Sequence, residues 1–250
     1  MPADLHAFGV SGMPEVSPGD DIGRLIVDAL STLGRGTADG DVFVIAQKIV
    51  SKAEGALIAL AELSPSPLAE RWASEFGKDP RAVEVVLRES RRIVRMERGI
   101  IIAETHHGFV CANAGVDASN VPPGFVTTLP RDPDASAAKI RDTLGTALDC
   151  RVAVVISDTF GRPWREGAVN VALGVAGLQP LLDYRGRPDH HGRRMQTTVI
   201  AVADEIAGVA ELVTGKACRT PVAMVRGAAE WAGHGSGTML LRDSSMDLFR

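Results

Sequence analysis

The sequence predicts an α+β fold with mixed, partly antiparallel sheets and flanking helices. Helical and strand patterns are interspersed along the 250 residues, and short turns join the strand patterns between residues 91 and 112, which indicates hairpins rather than a regular parallel wind. The hydrophobic fraction of 45% supplies a core that needs no disulfide or zinc. We expect one domain over residues 1–250, with two interlocked subdomains as an alternative.

The first 90 residues carry two strand patterns and three helical patterns. Residues 5–10 predict a short strand, and apolar residues at helical spacing between Ile22 and Leu30 predict a helix after a turn-rich stretch. The continuous apolar run Val42–Ile45 predicts a strand buried on both faces. Two helices fill residues 64–90, and the second begins at Asp79-Pro80, because a capping carboxylate precedes a proline in the first turn.

The rest of the chain alternates in the same way. Three strands are expected between residues 91 and 112, with a turn at His106-His107-Gly108. Asp132-Pro133 predicts the start of a helix, whose inner face carries Ile140, Leu144, Ala147 and Leu148. The elements predicted downstream are a strand at Val152–Ile156, an exposed polar loop at 185–194, a strand at Thr197–Val202, a helix capped by Asp204 and a strand at Val222–Val225.

Composition and charge exclude several classes of function. The net charge is −4 and the pI is about 5.9, so the chain has no overall basic field for nucleic-acid binding. Its three cysteines are far apart and odd in number, which fits a reducing compartment and a cytoplasmic protein. No apolar run approaches the roughly 20 residues that cross a bilayer, and the N-terminus shows no signal peptide. We therefore expect neither nucleic acid nor membrane as a partner.

The segment Ile156–Arg162 is the strongest candidate for chemistry. A buried strand is expected to deliver Asp158 and Thr159 to its carboxyl end, the edge at which α/β sheets favour ligand sites. Their carboxylate and hydroxyl oxygens suit Mg²⁺ or Mn²⁺, and Arg162 and Arg165 just beyond can grip a phosphate or carboxylate. An ordinary turn with solvated arginines explains this segment alone equally well.

Three other polar segments can complete such a site. The segment Asn113–Asn120 follows a strand. Its Asp117 can share a metal ion with Asp158, and its Asn120 can hydrogen-bond a nucleotide. Gln47–Gly55 carries two lysines and a serine, which is compatible with a phosphate cradle, and Met13–Val16 is an early loop. Taken singly, each is better explained as a turn or an exposed strand end. No G-x-x-x-x-G-K-[ST] phosphate loop is present.

Six segments in fixed order resemble the coenzyme F420-0:L-glutamate ligase family, also called F420:gamma-glutamyl ligase. The resemblance covers essentially the whole chain, and although each segment alone is weak, six in the same order are specific. The segments are Gly12–Val16, Gln47–Gly55, Asn113–Asn120, Ile156–Arg165, Leu182–Gly186 and Val202–Ala207.

The resemblance implies an amide ligase that uses GTP to join L-glutamate to the lactyl carboxylate of coenzyme F420-0, a phosphorylated deazaflavin. One or more glutamates would be added, gamma-linked after the first. Members need Mg²⁺ or Mn²⁺, often with K⁺, and form intertwined homodimers with an unusual α+β fold. Some carry a second, flavin-reductase-like domain; this chain ends at Arg250, where the ligase domain should end, so we expect no C-terminal reductase domain.

The resemblance also implies roles for individual residues. Asp117 and Asp158 would hold one divalent ion, Thr159 would contact a second, and Lys52 would add a fixed positive charge. Asp117, Asp158 and Lys52 are therefore the expected catalytic residues. The residues expected to contact GTP are Met13, Pro14, Glu15, Val16, Gln47, Lys52, Asn120, Thr214, Gly215 and Lys216.

The expected mechanism proceeds through an acyl phosphate. A carboxylate reacts poorly with an amine because oxide is a poor leaving group, whereas transfer of the γ-phosphoryl group from GTP creates a good one, which the amino group of L-glutamate displaces. Two other functions stay open. One is a different metal-dependent carboxylate–amine ligase or a nucleotide phosphohydrolase, and the other is a non-catalytic sensor that binds GTP without turnover.

Overall fold

The computed structural model of the chain, which describes residues 4–247, has a central mixed sheet with helices on both faces. The ends of the expected 1–250 domain, residues 1–3 and 248–250, lie outside the described residues. The strands are β1 (His6–Gly9), β2 (Val42–Ala46), β3 (Leu57–Ala59), β4 (Ser90–Glu97), β5 (Ile100–Thr105), β6 (Val110–Ala112), β7 (Phe125–Thr127), β8 (Ala153–Arg162), β9 (Arg165–Ala176), β10 (Leu182–Asp183), β11 (Val199–Ile200) and β12 (Val222–Arg226). The α-helices are α1 (Ile22–Thr32), α2 (Gln47–Ala53), α3 (Pro67–Phe76), α4 (Pro80–Glu89), α5 (Pro133–Leu148) and α6 (Val202–Thr214).

The central sheet joins strands from both halves of the chain in the order β1-β12-β2-β8-β9. β2 and β8 are parallel, whereas the other neighbouring pairs are antiparallel. Alternation along β2 sends Phe43 and Ile45 into a layer formed with α1 and α5, and Val42 and Val44 into a layer formed with α6. β2 is therefore buried on both faces, which confirms the prediction from its continuous apolar run.

A second group of elements contacts the central sheet through β6 and β8. It consists of the antiparallel sheet β4-β5-β6, the ribbon β3-β7 and the helices α3 and α4. Buried side chains of both helices pack against Ile101 and Ala103 of β5, and Asp79 caps α4 as predicted. The predicted α+β class, with mixed sheets and flanking helices, is confirmed. Among residues 4–247, no helix combines the length and apolar character that a membrane span requires.

The structure extends or displaces several predicted elements. β8 does not end at Ile156 but continues to Arg162, because β9 folds back and pairs with it. Residues 47–53 form the helix α2 rather than a strand end. The strand predicted at 197–202 is reduced to two residues, since α6 already begins at Val202.

Two side chains were assigned to the wrong role within their helices. Asp204 does not cap α6 but lies in its first turn, where Oδ1 accepts a hydrogen bond from the backbone N of Ala172 at 2.8 Å. Burial raises the pKa of this carboxyl group. Ala147, expected on the inner face of α5, is exposed, because in the last turn the buried stripe of Ile140 and Leu144 continues through Leu148 and leaves Ala147 at its rim.

Asp134 in the first turn of α5 joins the helix to two other parts of the chain. Its Oδ1 accepts hydrogen bonds from the backbone N of Val175 at 2.8 Å and of Gly237 at 2.6 Å. Asp134→Ala is expected to lower the free energy of unfolding by about 2–4 kcal/mol, because each donor left without a partner costs roughly 1–3 kcal/mol. Urea denaturation measures the change. The control Asp142→Ala, on an exposed position of the same helix, should change stability little, and equal effects of the two would contradict the prediction.

Candidate active site

The carboxyl end of β2 defines the edge at which the candidate site is built. β2 stops at Ala46, opposite Ser157 of β8, and α2 begins at the next residue. β8 continues beyond that point with β9 as its neighbour. Asp158 and Thr159 therefore lie on a two-stranded extension of the sheet, at the level of the start of α2, rather than after the end of their strand.

Asp117 reaches this edge from the loop after β6, where its backbone forms a bridge with Thr127 of β7. Its Oδ2 accepts hydrogen bonds from Lys48 Nζ of α2 at 2.7 Å and from Ser119 Oγ at 2.9 Å, and Lys48 Nζ also donates to Ser119 Oγ at 2.6 Å. Burial raises the pKa of Asp117, but these hydrogen bonds and the charge of Lys48 outweigh it and hold the pKa below its usual value. Asp117 is therefore ionised at neutral pH.

Asp158 is the strongly perturbed carboxyl group of the site. Burial, assisted by the charge of Asp117, raises its pKa to about 6, although a backbone hydrogen bond and the charges of Lys216 and Lys48 act in the opposite direction. Burial and the charge of Asp158 together raise the pKa of the Cys111 thiol to about 12. Asp158 is thus within electrostatic reach of Asp117, Lys48 and Lys216, and these four groups are the cluster of the site. A carboxyl group perturbed in this way is typical of functional sites.

Thr159 is held from two sides. Lys216, just past the end of α6, donates a hydrogen bond to Thr159 Oγ1. The hydroxyl group in turn lies 2.7 Å from Oδ1 of Asn170, its cross-strand partner on β9. Asn170 Nδ2 donates to Glu211 Oε2 of α6 at 2.9 Å. The hydroxyl group predicted to contact a metal thus belongs to a hydrogen-bond chain that runs from Lys216 to Glu211.

The early loop also reaches the helix that follows β2. Glu15 forms an ion pair with Lys52, whose side chain is only 12% exposed. In the same loop Met13 packs against the core, Val16 is buried and Pro14 is exposed. The structure therefore brings two of the sequence segments implicated in nucleotide binding into direct contact.

The remaining residues predicted to bind nucleotide have different surroundings. Gln47 is buried at the start of α2, and its Oε1 accepts a hydrogen bond from Ser51 Oγ at 2.8 Å. Asn120 is exposed, with a left-handed backbone (φ 56°). Thr214 Oγ1 donates to Ala210 O at 3.1 Å within α6, and Gly215 ends that helix next to Lys216. The contacts of all four with a nucleotide stay a prediction.

The side chains of the cluster fit a divalent ion that takes most of its ligands from a bound phosphate. Within residues 4–247, no group of three or more His, Cys, Asp or Glu side chains converges as a complete protein cage would require. Asp117 and Asp158 nevertheless offer two carboxylates to one ion, and Thr159, on the opposite face of β8 from Asp158, offers a hydroxyl to a second. All are hard oxygen donors. Mg²⁺ is usually bound by one or two carboxylates together with water and substrate phosphates. This donor set is therefore sufficient for such an ion.

Comparison with known proteins decides the family. The model of the family described as F420-0:Gamma-glutamyl ligase matches residues 12–227. The chain belongs to the F420-0:gamma-glutamyl ligase family. The predicted family is thereby confirmed, and the match covers the loop at Met13, α2, the Asp117 loop, the β8–β9 hairpin and the end of α6.

Several archaeal members of the F420-0:gamma-glutamyl ligase family align with nearly the whole chain. The chain is 53% identical over 251 residues to a protein named Coenzyme F420:L-glutamate ligase from Methanothermobacter thermautotrophicus, with 98% of this chain and 99% of the relative covered. A protein of the same name from Methanopyrus kandleri is 46% identical, with 94% of each chain covered. One from Haloarcula marismortui is 40% identical, with 98% of this chain and 96% of the relative covered.

The first of the two arginines after Thr159 bonds to the backbone of its own hairpin in this family member. Arg162 Nη2 donates to Glu166 O at 2.7 Å and Nε donates to Gly167 O at 3.3 Å, so its guanidinium stabilises the turn between β8 and β9. Arg165 is exposed at the start of β9. Their expected grip on a phosphate or carboxylate stays a prediction, and for Arg162 it would require the guanidinium to leave the turn.

Sequence reasoning missed four residues that the structure brings to the site: Lys48, Ser119, Asn170 and Glu211. The first two lay within segments already noted, but nothing in the sequence indicated their bonds with Asp117. Reading residues 162–165 as a hairpin turn would have placed Ala168 opposite Thr159, and Asn170 takes that position only because the register shifts between Gly161 and Arg162. Glu211 gave no signal, because its approach to β9 depends on how α6 packs on the sheet.

Proposed function

We propose that this family member is a GTP-dependent amide ligase that adds L-glutamate to coenzyme F420-0 in the biosynthesis of coenzyme F420. The observation that carries the proposal is the convergence of Asp117, Asp158 and Thr159 with Lys48 and Lys216 at one edge of the sheet. Acidic and basic groups in one place suit a ligand made of phosphates and divalent ions. The names of the relatives supply the acceptor and the amino acid.

The proposed reaction has two steps. A carboxylate oxygen of F420-0 attacks the γ-phosphorus of GTP, the bond from that phosphorus to the β–γ bridging oxygen breaks, and GDP leaves. The amino nitrogen of L-glutamate then attacks the acyl carbon, phosphate leaves with the electron pair of the carbon–oxygen bond, and the nitrogen loses a proton. Later glutamates would join through the γ-carboxylate of the preceding one.

The residues of the cluster would position the reacting groups. Asp117 and Asp158 would hold one Mg²⁺ or Mn²⁺, Thr159 would contact a second, and K⁺ would be a further ion; bound there, such ions neutralise the charge on phosphate oxygens. Lys48 holds the Asp117 carboxylate in place at 2.7 Å. Lys52 and Lys216 supply fixed positive charge on either side, so that the chain orients the phosphates without moving during the reaction.

The proposed GTP site lies along the same edge. The loop Met13–Val16 and Lys52 are already in contact through Glu15, and Lys216 lies beside Thr159. Asn120, with Gln47 and the Thr214-Gly215 pair, would complete the contacts to the nucleotide. The ion pair between Lys52 and Glu15 would exchange for an interaction between Lys52 and a phosphate oxygen.

The test of the function is a reaction with F420-0, L-glutamate, GTP and Mn²⁺, followed by mass spectrometry. Glutamate-sized additions and release of GDP that depends on both co-substrates are expected. Release of phosphate without an acceptor would instead identify a phosphohydrolase. Binding of GTP without turnover would identify a nucleotide sensor, and either of these results would overturn the proposal.

The proposal includes a homodimer. Ile100, Ile102 and Val110 point to one face of the β4-β5-β6 sheet, and Ile100 and Val110 are 50% and 38% exposed. Adjacent exposed apolar side chains on a sheet face favour coverage by a partner, and the expected partner is a second copy of the chain.

Light scattering after size exclusion should give twice the chain mass of 26.4 kDa. Arg95→Glu at the edge of this face should weaken the dimer, and a wild-type monomer would contradict the expectation.

Lys52→Met is expected to raise the KM for GTP by about tenfold to a hundredfold, because a charge-assisted hydrogen bond contributes roughly 1.5–3 kcal/mol. Methionine keeps the apolar stem of the largely buried side chain, so the fold should persist. Steady-state kinetics with varied GTP measures the change. Lys78→Met, at an exposed position between α3 and α4, is the control. An unchanged KM in Lys52→Met would remove this lysine from the nucleotide site.

A further inference from the structure

We infer that Asn170 is a positioning residue for the proposed reaction, which with Glu211 sets the direction of the Thr159 hydroxyl group. The inference rests on the proposed function, because it assigns a purpose to the hydroxyl group that would contact the second ion. Asn170 and Thr159 are directly opposite each other on β9 and β8, so their side chains lie on the same face of the hairpin. Asn170 has no place in the reaction itself.

The chemistry of the four groups determines the direction of every hydrogen bond in the chain. A carboxylate only accepts, so Glu211 Oε2 must face Asn170 Nδ2, which is 2.9 Å away. The carbonyl oxygen of the same amide is then turned towards Thr159 Oγ1 at 2.7 Å and accepts the hydroxyl proton. The ammonium group of Lys216 only donates, so it uses one lone pair of Thr159 Oγ1.

The second lone pair of Thr159 Oγ1 is left for a ligand. Because the proton is committed to Asn170, the hydroxyl group presents an acceptor and not a donor to a ligand, on the face of the hairpin opposite to the Asp158 side chain. A hydroxyl group free to rotate would spend part of its time with its proton directed at the ion. The chain from Glu211 through Asn170 therefore prepares Thr159 as an oxygen ligand before any ion arrives, which is the usual effect of groups hydrogen-bonded to a metal ligand.

The same chain of hydrogen bonds connects the β8–β9 hairpin to α6. Glu211 lies in the last turn of α6 and Lys216 follows its end, so both partners of the Thr159–Asn170 pair come from one segment. Alignment of this segment with the hairpin thus sets the hydroxyl direction and the position of the Lys216 charge together. Asn170 is the neutral group that connects the acceptor Glu211 to the donor Thr159.

The first test is Asn170→Leu, which keeps the branching of the side chain at Cγ and removes both hydrogen bonds. Mn²⁺ affinity, followed by electron paramagnetic resonance with GTP bound, should fall by about tenfold to a hundredfold. The Mn²⁺ concentration for half-maximal turnover should rise in parallel. Thr159→Val serves as the reference, and it should lower Mn²⁺ affinity at least as much as Asn170→Leu does. If Asn170→Leu lowers the unfolding temperature but leaves Mn²⁺ affinity unchanged, the residue is merely structural and the inference fails.

The second test removes the donor from the hydrogen bond between residues 170 and 211 and then restores a donor from the other side. Asn170→Asp places a second acceptor against Glu211 and should reduce turnover by about tenfold or more. Glu211→Gln alone should have little effect, since its amide oxygen still accepts from Asn170. Asn170→Asp combined with Glu211→Gln has the wild-type net charge and again provides a donor for an acceptor, so turnover should return to near wild type.

The two proposals fail in distinguishable ways. If the wild-type protein adds no glutamate to F420-0, the proposed function falls, but Mn²⁺ binding still reports on the hydrogen-bond chain. If the wild type is an active ligase and the combined variant is no better than Asn170→Asp, the direction of the hydrogen bonds is irrelevant and the inference about Asn170 is overturned.

Discussion

Replacing Asp158 with asparagine is expected to abolish metal-dependent turnover and at the same time to make the protein more stable. Because Asp158 would ligate the metal ion, its replacement should reduce kcat/KM by more than about a hundredfold. A bound metal ion lowers the barrier of such a reaction by several kcal/mol. Asparagine has nearly the same shape, so packing around the side chain is preserved. The stability gain arises because the folded protein holds an ionised carboxylate in surroundings that disfavour it.

The sign and size of the stability change follow from the pKa of Asp158. The folded protein raises it from an ordinary 3.8 to about 6, so the folded state binds the proton more tightly than the unfolded chain. The favourable contribution of protonated Asp158 to the stability of the folded state is fully present below about pH 4. It is lost as the pH rises through about 6. At pH 7.5 the ionised group costs at most about 3 kcal/mol, and roughly 1–2 kcal/mol after allowance for its remaining contact with water.

Thermal or urea unfolding at several pH values, without metal, measures this effect. Asp158→Asn should be more stable than the wild type above pH 6 and equal to it near pH 4. In the wild type, Mn²⁺ affinity should fall as pH drops below 6, because protons then compete with the ion for the carboxylate. Near-normal activity and metal affinity in Asp158→Asn would contradict its assignment, and a loss of stability would indicate a structural role.

Gly174→Ala is expected to cost more than about 4 kcal/mol of folding free energy, a size that requires a specific steric cause. A Cβ atom on Gly174 would lie 2.1 Å from the carbonyl oxygen and 2.3 Å from the carbonyl carbon of Pro133. Both are backbone atoms at the start of α5, so no side chain can rotate away. The helix would have to leave β9, and the hydrogen bond that Val175 donates to Asp134 would be lost with it.

The matched control is Gly208→Ala in the middle of α6, where an added Cβ has no heavy atom within 4 Å. This change should stabilise the protein by roughly 0.5–1 kcal/mol, because alanine loses less backbone entropy in a helix. Yield of soluble protein and urea unfolding provide the measurements. Two variants of equal stability would show that α5 can shift on the sheet without penalty. The close approach of Gly174 to the backbone of Pro133 would then have no importance for folding.

Much of the architecture follows from local patterns, and the misses have a common cause. The apolar runs at Val42–Ile45 and Val152–Ile156 indicate buried strands, and the Asp-Pro pairs mark the starts of α4 and α5. β8 was predicted too short because Asp158 and Thr159 are polar, whereas pairing with β9 keeps polar residues in a strand. The start of α6 was predicted too late for a similar reason, since β11 and the helix share the apolar run around Val202.

Taken by itself, the sequence determined the class of fold, the family and the segments that carry Asp117, Asp158, Thr159 and Lys52. It did so because apolar periodicity, capping residues and ordered motifs are written locally along the chain. Only the tertiary structure decided that Lys48 holds Asp117, that Asp158 has a pKa of about 6 and that Asn170 connects Thr159 to Glu211. Burial, cross-strand pairing and helix packing arise between residues that are distant in sequence, and no local pattern contains them.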